Sequence, residues 1–150
     1  MAFKGMHEEK PIIVGFSGTQ QGMTAFQETT VRSLLRWLKP AEVHHGDCVG
    51  SDEEFDKICV ELGIYRCSHP PEDEKKRAFC KTEEERMPAP YLVRNLDIVK
   101  ESQILIATPK EPYEVTRSGT WSTYRRAKHL KRAICLVLPE EFRIEGDIKL

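Results

Sequence analysis

The fold class follows from one stretch near the N-terminus, PIIVGFSGTQQGMT, residues 11–24. It begins with a short apolar run, continues through a turn rich in glycine, serine and threonine, and ends where the amphipathic segment 24–38 begins. An apolar run that passes through such a turn into a helical pattern is typical of a βα unit. Strands joined by helices run parallel, so the stretch predicts the first strand of a parallel sheet.

The same pattern recurs along the chain and predicts further βα units. We expect strands at 11–16, 42–45, 64–68, 103–108 and 132–138, and helices at 24–38, 51–62, 91–101 and 120–130. Right-handed crossovers place the helices of such units on both faces of the sheet. The predicted fold class is therefore α/β, a three-layer Rossmann-like domain with a mostly parallel five-stranded sheet in the order 3-2-1-4-5.

The size and charge of the chain are those of one globular domain. With 150 residues, 39% hydrophobic and 31% charged, we expect a single domain over 1–150, with a core at 11–139 and a tail at 140–150. The net charge of −1 gives no general attraction to nucleic acid or to an anionic membrane. No run approaches the roughly 18 apolar residues of a membrane span, and the N-terminus lacks the apolar core of a signal peptide. We therefore expect a cytoplasmic protein with no membrane partner.

The number and spacing of the cysteines argue against a fold that is held together by disulfides or by a metal ion. They are five in number and include no CxxC pair, which is unlike a disulfide framework or a zinc knuckle. We expect reduced, mostly buried thiols, no metal site and no bound cofactor.

One long segment interrupts the βα pattern at 69–90, HPPEDEKKRAFCKTEEERMPAP. It is charged and bracketed by prolines, and a connection of this length inside a domain is uncommon. Two interpretations stay open: a solvated excursion that contains a short charged helix, or a lid over a binding site.

Three of the loops that follow predicted strands combine glycine with serine or threonine just before a helix. In open parallel sheets, ligands bind beyond the carboxyl ends of the strands, and these loops share that edge. Glycine admits close approach of the backbone, while hydroxyl and N–H groups donate to phosphate oxygens. The candidate ligand-binding residues are Ser17, Gly18, Thr19, Gln20, Gly46, Asp47, Gly50, Ser51, Asp52, Arg94, Asn95, Ser118, Gly119, Thr120 and Trp121.

Each candidate has a structural alternative. The loop after the first strand fits a phosphate cradle and equally a well-capped turn, since helix caps favour the same residue types. Asp47 stands where a carboxylate accepts hydrogen bonds from ribose, Arg94 offers a cation for phosphate, and Trp121 either packs on the sheet or stacks on a base. The glycines do not have GxGxxG spacing and no GKS or GKT follows, which argues against a dehydrogenase and a P-loop NTPase.

Four motifs in order carry a family resemblance: GFSGT, HHGDCVGSD, VRN before a helix, and SGTWSTYRRA. Together they resemble the SLOG superfamily, the Rossmann-like domains related to DprA/Smf and to the LOG phosphoribohydrolases, in the compact YspA/YpsA-like branch. The resemblance runs over about 11–139 and implies a nucleotide-binding edge. LOG enzymes carry PGGxGTxxE, and the glutamate of that motif is replaced here by Thr123. The resemblance thus implies binding more than catalysis.

Three functions follow from these observations. The leading hypothesis is a protein that binds a nucleotide or nucleotide-derived ligand, as a sensor, binder or sequestering protein. The first alternative is a phosphoribohydrolase-like enzyme that cleaves an N-glycosidic bond, and the second is a DprA-like binder of single-stranded nucleic acid. A basic stripe in and after the last helix motivates the second alternative, namely Arg125, Arg126, Lys128, Lys131 and Arg132. The sequence is compatible with a homo-oligomer and does not favour it over a monomer.

Overall fold

The computed structural model describes residues 11–150. Four helices and seven strands follow one another in the order β1 (Ile13–Gly18), α1 (Ala25–Leu38), β2 (Glu42–His45), α2 (Ser51–Glu61), β3 (Tyr65–Ser68), β4 (Glu84–Glu85), α3 (Tyr91–Glu101), β5 (Ile104–Thr108), α4 (Gly119–His129), β6 (Ala133–Val137) and β7 (Phe142–Glu145). A short 3₁₀ helix at Glu74–Lys76 lies between β3 and β4. No helix in 11–150 is both long enough and apolar enough to cross a membrane.

The strands form one sheet in the order β4-β3-β2-β1-β5-β6-β7. Its five central strands, β3-β2-β1-β5-β6, pair in parallel and follow the predicted order 3-2-1-4-5. The prediction of five strands is wrong, because the sheet has seven. Both additional strands lie at edges.

The two edge strands lie in segments for which we expected no strand. β4 falls in the charged segment 69–90, and β7 pairs antiparallel with β6 inside the expected tail. β4 consists of two glutamates, so it has no apolar alternation that a sequence pattern could reveal. In β7 the apolar side chains of Phe142 and Ile144 are 38% and 42% exposed, so backbone pairing rather than side-chain burial defines this strand.

Helices cover both faces of the sheet and bury two separate cores. α1 and α2 enclose one cluster, in which the rings of Phe16 and Phe55 stack at 4.1 Å between centroids. α3 and α4 enclose the other, which contains Val99, Leu105 and Trp121. Every residue of β5 and β6 is buried, as expected for central strands that are covered on both sides. All five cysteines are free thiols, and four of them are buried.

The start of α1 is attached to the carboxyl ends of β5 and β6. Thr24 and Gln27 form a capping box, in which each side chain accepts a hydrogen bond from the backbone N–H of the other. The Gln27 amide also donates to the carbonyl oxygens of Pro109 and Val137, both at 2.9 Å. These bonds hold the loop between β1 and α1 over the edge of the sheet.

The loops that follow β1, β2 and β5 meet at this edge. The Thr19 N–H donates to the carbonyl oxygen of Thr108 at 3.2 Å, and the Thr19 carbonyl accepts from both the N–H and the Oγ of Ser51. Gly50 has φ 92°, and a Cβ there would overlap the Gln20 carbonyl oxygen. Glycine at position 50 therefore allows the first two loops to touch.

Candidate functional site

A cleft of about 270 Å³ opens at the carboxyl ends of β1, β2 and β5 and at the first turns of α3 and α4. Ten of the predicted ligand-binding residues line it: Ser17, Gly18, Thr19, Gln20, Asp52, Arg94, Asn95, Ser118, Gly119 and Thr120. Six lining residues are additional to the prediction: Gln21, Cys48, Tyr91, Lys110, Glu111 and Arg117. Residues that are more than 100 positions apart in the sequence thus line one opening.

Arg94 provides a buried cation in the cleft. Its side chain extends from the first turn of α3, and the residue is only 5% exposed. Its guanidinium donates to the carbonyl oxygen of Gly46 at 3.0 Å and to the Sγ of Cys48 at 3.2 Å, and it lies 5.6 Å from the centre of the Tyr91 ring. The Arg94 Nε is buried and has no hydrogen-bond partner among residues 11–150. A buried donor without a partner is costly unless a ligand or water satisfies it.

Asp52 and Cys48 place a carboxyl and a thiol beside this cation. The Asp52 carboxylate accepts a hydrogen bond from the Cys48 N–H at 3.1 Å. Burial raises the pKa of Asp52, while the nearby His45 and Arg94 oppose that rise. Burial and the Asp52 charge raise the pKa of Cys48 to about 11. Cys48 is therefore a neutral thiol near pH 7 and is not an activated nucleophile.

The start of α4 packs against the start of α3. Ser118 caps α4, since its Oγ accepts a hydrogen bond from the Trp121 N–H at 3.2 Å. A Cβ at Gly119 would overlap the hydroxyl of Tyr91, so only glycine permits this close approach. Lys110 and Arg117 are exposed residues at the rim, in the loop between β5 and α4. That loop follows a predicted strand, but its basic residues have no motif that marked them as site residues.

Five predicted residues lie outside the cleft lining: Gly46, Asp47, Gly50, Ser51 and Trp121. Gly46 and Gly50 instead contact residues of the cleft lining. A Cβ at Gly46 would overlap the Arg94 guanidinium, and Gly50 contacts Gln20. Ser51 donates from its Oγ to Thr19. Trp121 is 1% exposed and its indole N–H donates to Glu111 at 3.1 Å, so Trp121 packs in the core rather than at the rim.

Asp47 supports the segment 69–90 instead of facing the cleft. It has a left-handed backbone, φ 52°, and is fully buried. Its carboxylate accepts from the Arg77 side chain at 2.9 Å and from the Cys80 N–H at 2.8 Å. The Ala78 N–H also donates to the Asp47 carbonyl at 2.8 Å. None of the cleft-lining residues belongs to 69–90, so the segment packs beside the second loop and does not form a lid in this structure.

Position 123 cannot supply the carboxylate of a LOG-type motif. Thr123 is fully buried, and its hydroxyl donates back to the Gly119 carbonyl at 2.9 Å. The carboxylates that do line the cleft belong to Asp52 and Glu111, and Glu111 accepts the hydrogen bond from Trp121.

Several cations of the basic stripe make internal contacts. Arg125 donates to the Glu114 carboxylate and to the carbonyls of Val115 and Thr116. Arg132 donates to backbone carbonyls at the ends of α3 and α4. These contacts reduce the number of donors that are free for phosphates of a nucleic acid.

The strand order, the two helical layers and the loops at one edge define a Rossmann-like α/β fold, the fold that the sequence resemblance implies. No protein-family model and no curated protein matches this chain by sequence.

Solved structures with the same fold belong to proteins that are described as binding different ligands. One is a molybdenum cofactor binding protein from Rippkaea orientalis, with 15% identity over 87% of this chain and 78% of that one and a TM-score of 0.68. Another is the molybdenum cofactor carrier protein from Chlamydomonas reinhardtii, with 16% identity over 85% and 76% and a TM-score of 0.61. A third is DNA processing protein A from Helicobacter pylori, described with a single-stranded DNA binding mode, with 17% identity over 84% and 65% and a TM-score of 0.59.

Proposed function

We propose that this protein binds a small nucleotide or nucleotide-derived ligand in the cleft, as a sensor, carrier or sequestering protein. The observation that carries the proposal is Arg94, a buried cation that lines the opening. A desolvated guanidinium forms strong charge-assisted hydrogen bonds to phosphate. The solved structures of similar fold that bind the molybdenum cofactor or single-stranded DNA support a binding function for such a domain.

The remaining groups of the cleft suit the other parts of a nucleotide. Lys110 and Arg117 add positive charge at the rim, and the start of α4 contributes backbone N–H groups to the same cleft. Asp52 and Asn95 offer acceptors and donors for ribose hydroxyls or a base edge. The volume of about 270 Å³ lies near the lower end of small-molecule sites, about 300 Å³, which favours a mononucleotide over a dinucleotide.

Calorimetric titration with AMP, ADP-ribose and NAD tests the proposal. Arg117→Ala removes an exposed rim cation without disturbing a buried contact, and we expect its affinity for the ligand to fall by roughly 10- to 150-fold, as for a lost charge-assisted hydrogen bond. The matched control is Lys57→Ala, since Lys57 is an exposed cation of α2 away from the cleft. If none of the three nucleotides binds the unmodified protein, or if the two variants lose affinity equally, the cleft is not a nucleotide site.

The hydrolase alternative has weaker support. A glycosidase needs an acid and a base or nucleophile that flank the scissile bond. Asp52 and Glu111 are the carboxylates in the cleft lining, and each is already engaged by an N–H donor of the protein. We therefore expect AMP to be recovered intact after prolonged incubation with the protein. Release of adenine, measured by chromatography and lost in Asp52→Asn, would favour the enzyme instead.

A further inference from the structure

A second group of side chains lies away from the cleft, between β2 and β3. His44, Cys67 and His69 are each at most 2% exposed. His44 and Cys67 are paired across the two strands, so their side chains leave the same face of the sheet. The ligand-type atoms of all three residues lie within 4.8 Å of one another. The His44 Nδ1 is 2.8 Å from the His69 Nε2, and the Cys67 Sγ is 3.9 Å from that same Nε2.

The Glu42 carboxylate orients the His44 ring from the side opposite His69. The Glu42 side chain contacts the His44 Nε2. A carboxylate at one ring nitrogen holds the proton there and leaves the lone pair of the other nitrogen free. For His44 that nitrogen is Nδ1, which accepts a hydrogen bond from the His69 Nε2 and would exchange it for a bond to the metal ion. Histidines that bind metals have this arrangement, in which a carboxylate or carbonyl orients the ring from the opposite side.

Two imidazoles and one thiol are the donor set that zinc prefers. Zinc bonds of about 2.0–2.1 Å to nitrogen and 2.3 Å to sulfur in tetrahedral geometry separate the ligand atoms by roughly 3.3–3.7 Å. The observed separations of 2.8 Å and 3.9 Å lie on either side of this range, so small side-chain shifts bring the three atoms around one ion. The Glu101 carboxylate lies 3.8 Å from the His69 Nε2, but both of its oxygens accept hydrogen bonds from Arg86, so the fourth ligand of such a site is a water molecule.

We propose that His44, Cys67 and His69 form a zinc site between β2 and the end of β3, with water as the fourth ligand. The prediction of no metal site rested on the spacing of cysteines along the chain, which says nothing about ligands that neighbouring strands bring together. The site would anchor the beginning of 69–90, because His69 is its first residue. It would also support the cleft, since the His69 carbonyl lies 3.5 Å from the Arg94 guanidinium.

A second cluster has ligand atoms close together, but proximity alone is insufficient to assign a metal site. His45, Asp56 and Cys80 also have ligand-type atoms within 4.8 Å of one another. However, the His45 Nδ1 accepts the Asp47 N–H at 3.0 Å, so the His45 Nε2 carries its proton and donates to Asp56. Both oxygens of Asp56 are also bound by Arg66. The donors there are used within the protein, and we do not assign a metal to them.

Titration of the chelator-treated full-length chain with Co²⁺ tests the zinc site. Co²⁺ replaces Zn²⁺ in tetrahedral sites, and a coordinated thiolate gives a charge-transfer absorption band. We expect one equivalent of Co²⁺ to produce that band and Zn²⁺ to abolish it. Cys67→Ser should remove the band, and the control variant Cys80→Ser should keep it. Zn²⁺ should raise the thermal midpoint of the unmodified protein and of Cys80→Ser, but not that of Cys67→Ser.

Two further variants distinguish ligation from packing. Glu42→Gln should keep the band and weaken Co²⁺ binding by about 10- to 100-fold, the usual effect of removing a carboxylate that orients a ligand. Glu101→Gln should keep both the band and the affinity for Co²⁺, because the Glu101 carboxylate is bound by Arg86 and is not a ligand. Far-UV circular dichroism confirms that each variant is folded. Absence of a Co²⁺ spectrum, or loss of the band in Cys80→Ser as well, would mean that His44 and His69 form only a buried hydrogen bond. The nucleotide titrations are independent of this outcome.

Discussion

The guanidinium of Arg94 donates a hydrogen bond to the carbonyl oxygen of Gly46 at 3.0 Å, which attaches the first turn of α3 to the loop after β2. The same guanidinium occupies the space that a Cβ at position 46 would need. The cation that we assign to phosphate binding is thus positioned by the absence of a side chain on another loop. Gly46 therefore acts on the cleft without lining it.

Gly46→Ala should displace Arg94 and reduce nucleotide affinity by at least about 10-fold, since a charge-assisted contact is worth roughly 1.5–3 kcal/mol. Calorimetric titration measures this loss. Gly63→Ala is the matched control, because a Cβ there meets nothing within 4 Å although φ is 69°. The control should lose about 1 kcal/mol of stability through backbone strain and keep its affinity. If Gly46→Ala keeps the affinity of the unmodified protein, Arg94 does not contribute to nucleotide binding.

Gly18 is a packing residue as well as a cleft residue. A Cβ at this position would overlap the Thr108 Oγ1 and lie 2.5 Å from the Ser51 Cβ. Gly18→Ala should therefore lower the free energy of unfolding by about 1–3 kcal/mol, as overpacking does, and urea denaturation measures the change. Ser17→Ala, the adjacent change in the cleft lining, should stay within about 0.5 kcal/mol. Equal stability of both variants would show that the loop shifts at little cost to accommodate a Cβ at position 18.

Asp56 should make stability depend on pH in the acid range. Burial by itself raises the pKa of Asp56, but the hydrogen bonds and charges of His45 and Arg66 outweigh it and hold the pKa below its usual value of 3.8. Because the folded pKa is the lower one, the unfolded chain binds more protons in this range and stability rises with pH. The contribution is complete above about pH 5 and is lost as the pH falls through the folded pKa.

Asp56→Asn removes this contribution and breaks the pair with Arg66. We expect a loss of about 3–5 kcal/mol at pH 7, as for a buried pair that loses one partner, and a smaller loss at about pH 3. Urea denaturation at both pH values measures the difference. Glu61→Gln, which removes the exposed partner of Arg32, should cost less than about 1 kcal/mol at either pH. If the loss of unfolding free energy in Asp56→Asn is the same at both pH values, the pKa of Asp56 is not lowered in the folded protein.

Binding of single-stranded DNA should be weak and sensitive to salt. The net charge is −1, and Arg125 and Arg132 of the basic stripe donate to groups of the protein itself. Contacts to phosphates alone weaken steeply as salt rises, because counterions are released on binding. Fluorescence anisotropy of a labelled oligonucleotide at about 50 and 200 mM salt measures this dependence. Tight binding that persists at the higher salt would favour the DprA-like alternative.

Local patterns were sufficient for the central elements of the fold. The segments predicted at 42–45 and 91–101 coincide with β2 and α3, and the other central strands and helices differ only at their ends. Apolar periodicity and capping residues depend on neighbours a few positions away, so the sequence shows them directly. The handedness of βα crossovers then restricts the order of the central strands. The same rule places the glycine-rich loops at one edge.

Contacts between distant segments could not be inferred in this way. The partner of Asp47 is Arg77, the space beside Gly46 belongs to Arg94, and β7 exists because it pairs with β6. The pairing of His44 with Cys67 likewise depends on the register of two strands that are more than 20 residues apart in the chain. Apolar periodicity shows which face of an element is buried, but long-range packing and strand register select the side chains that meet there.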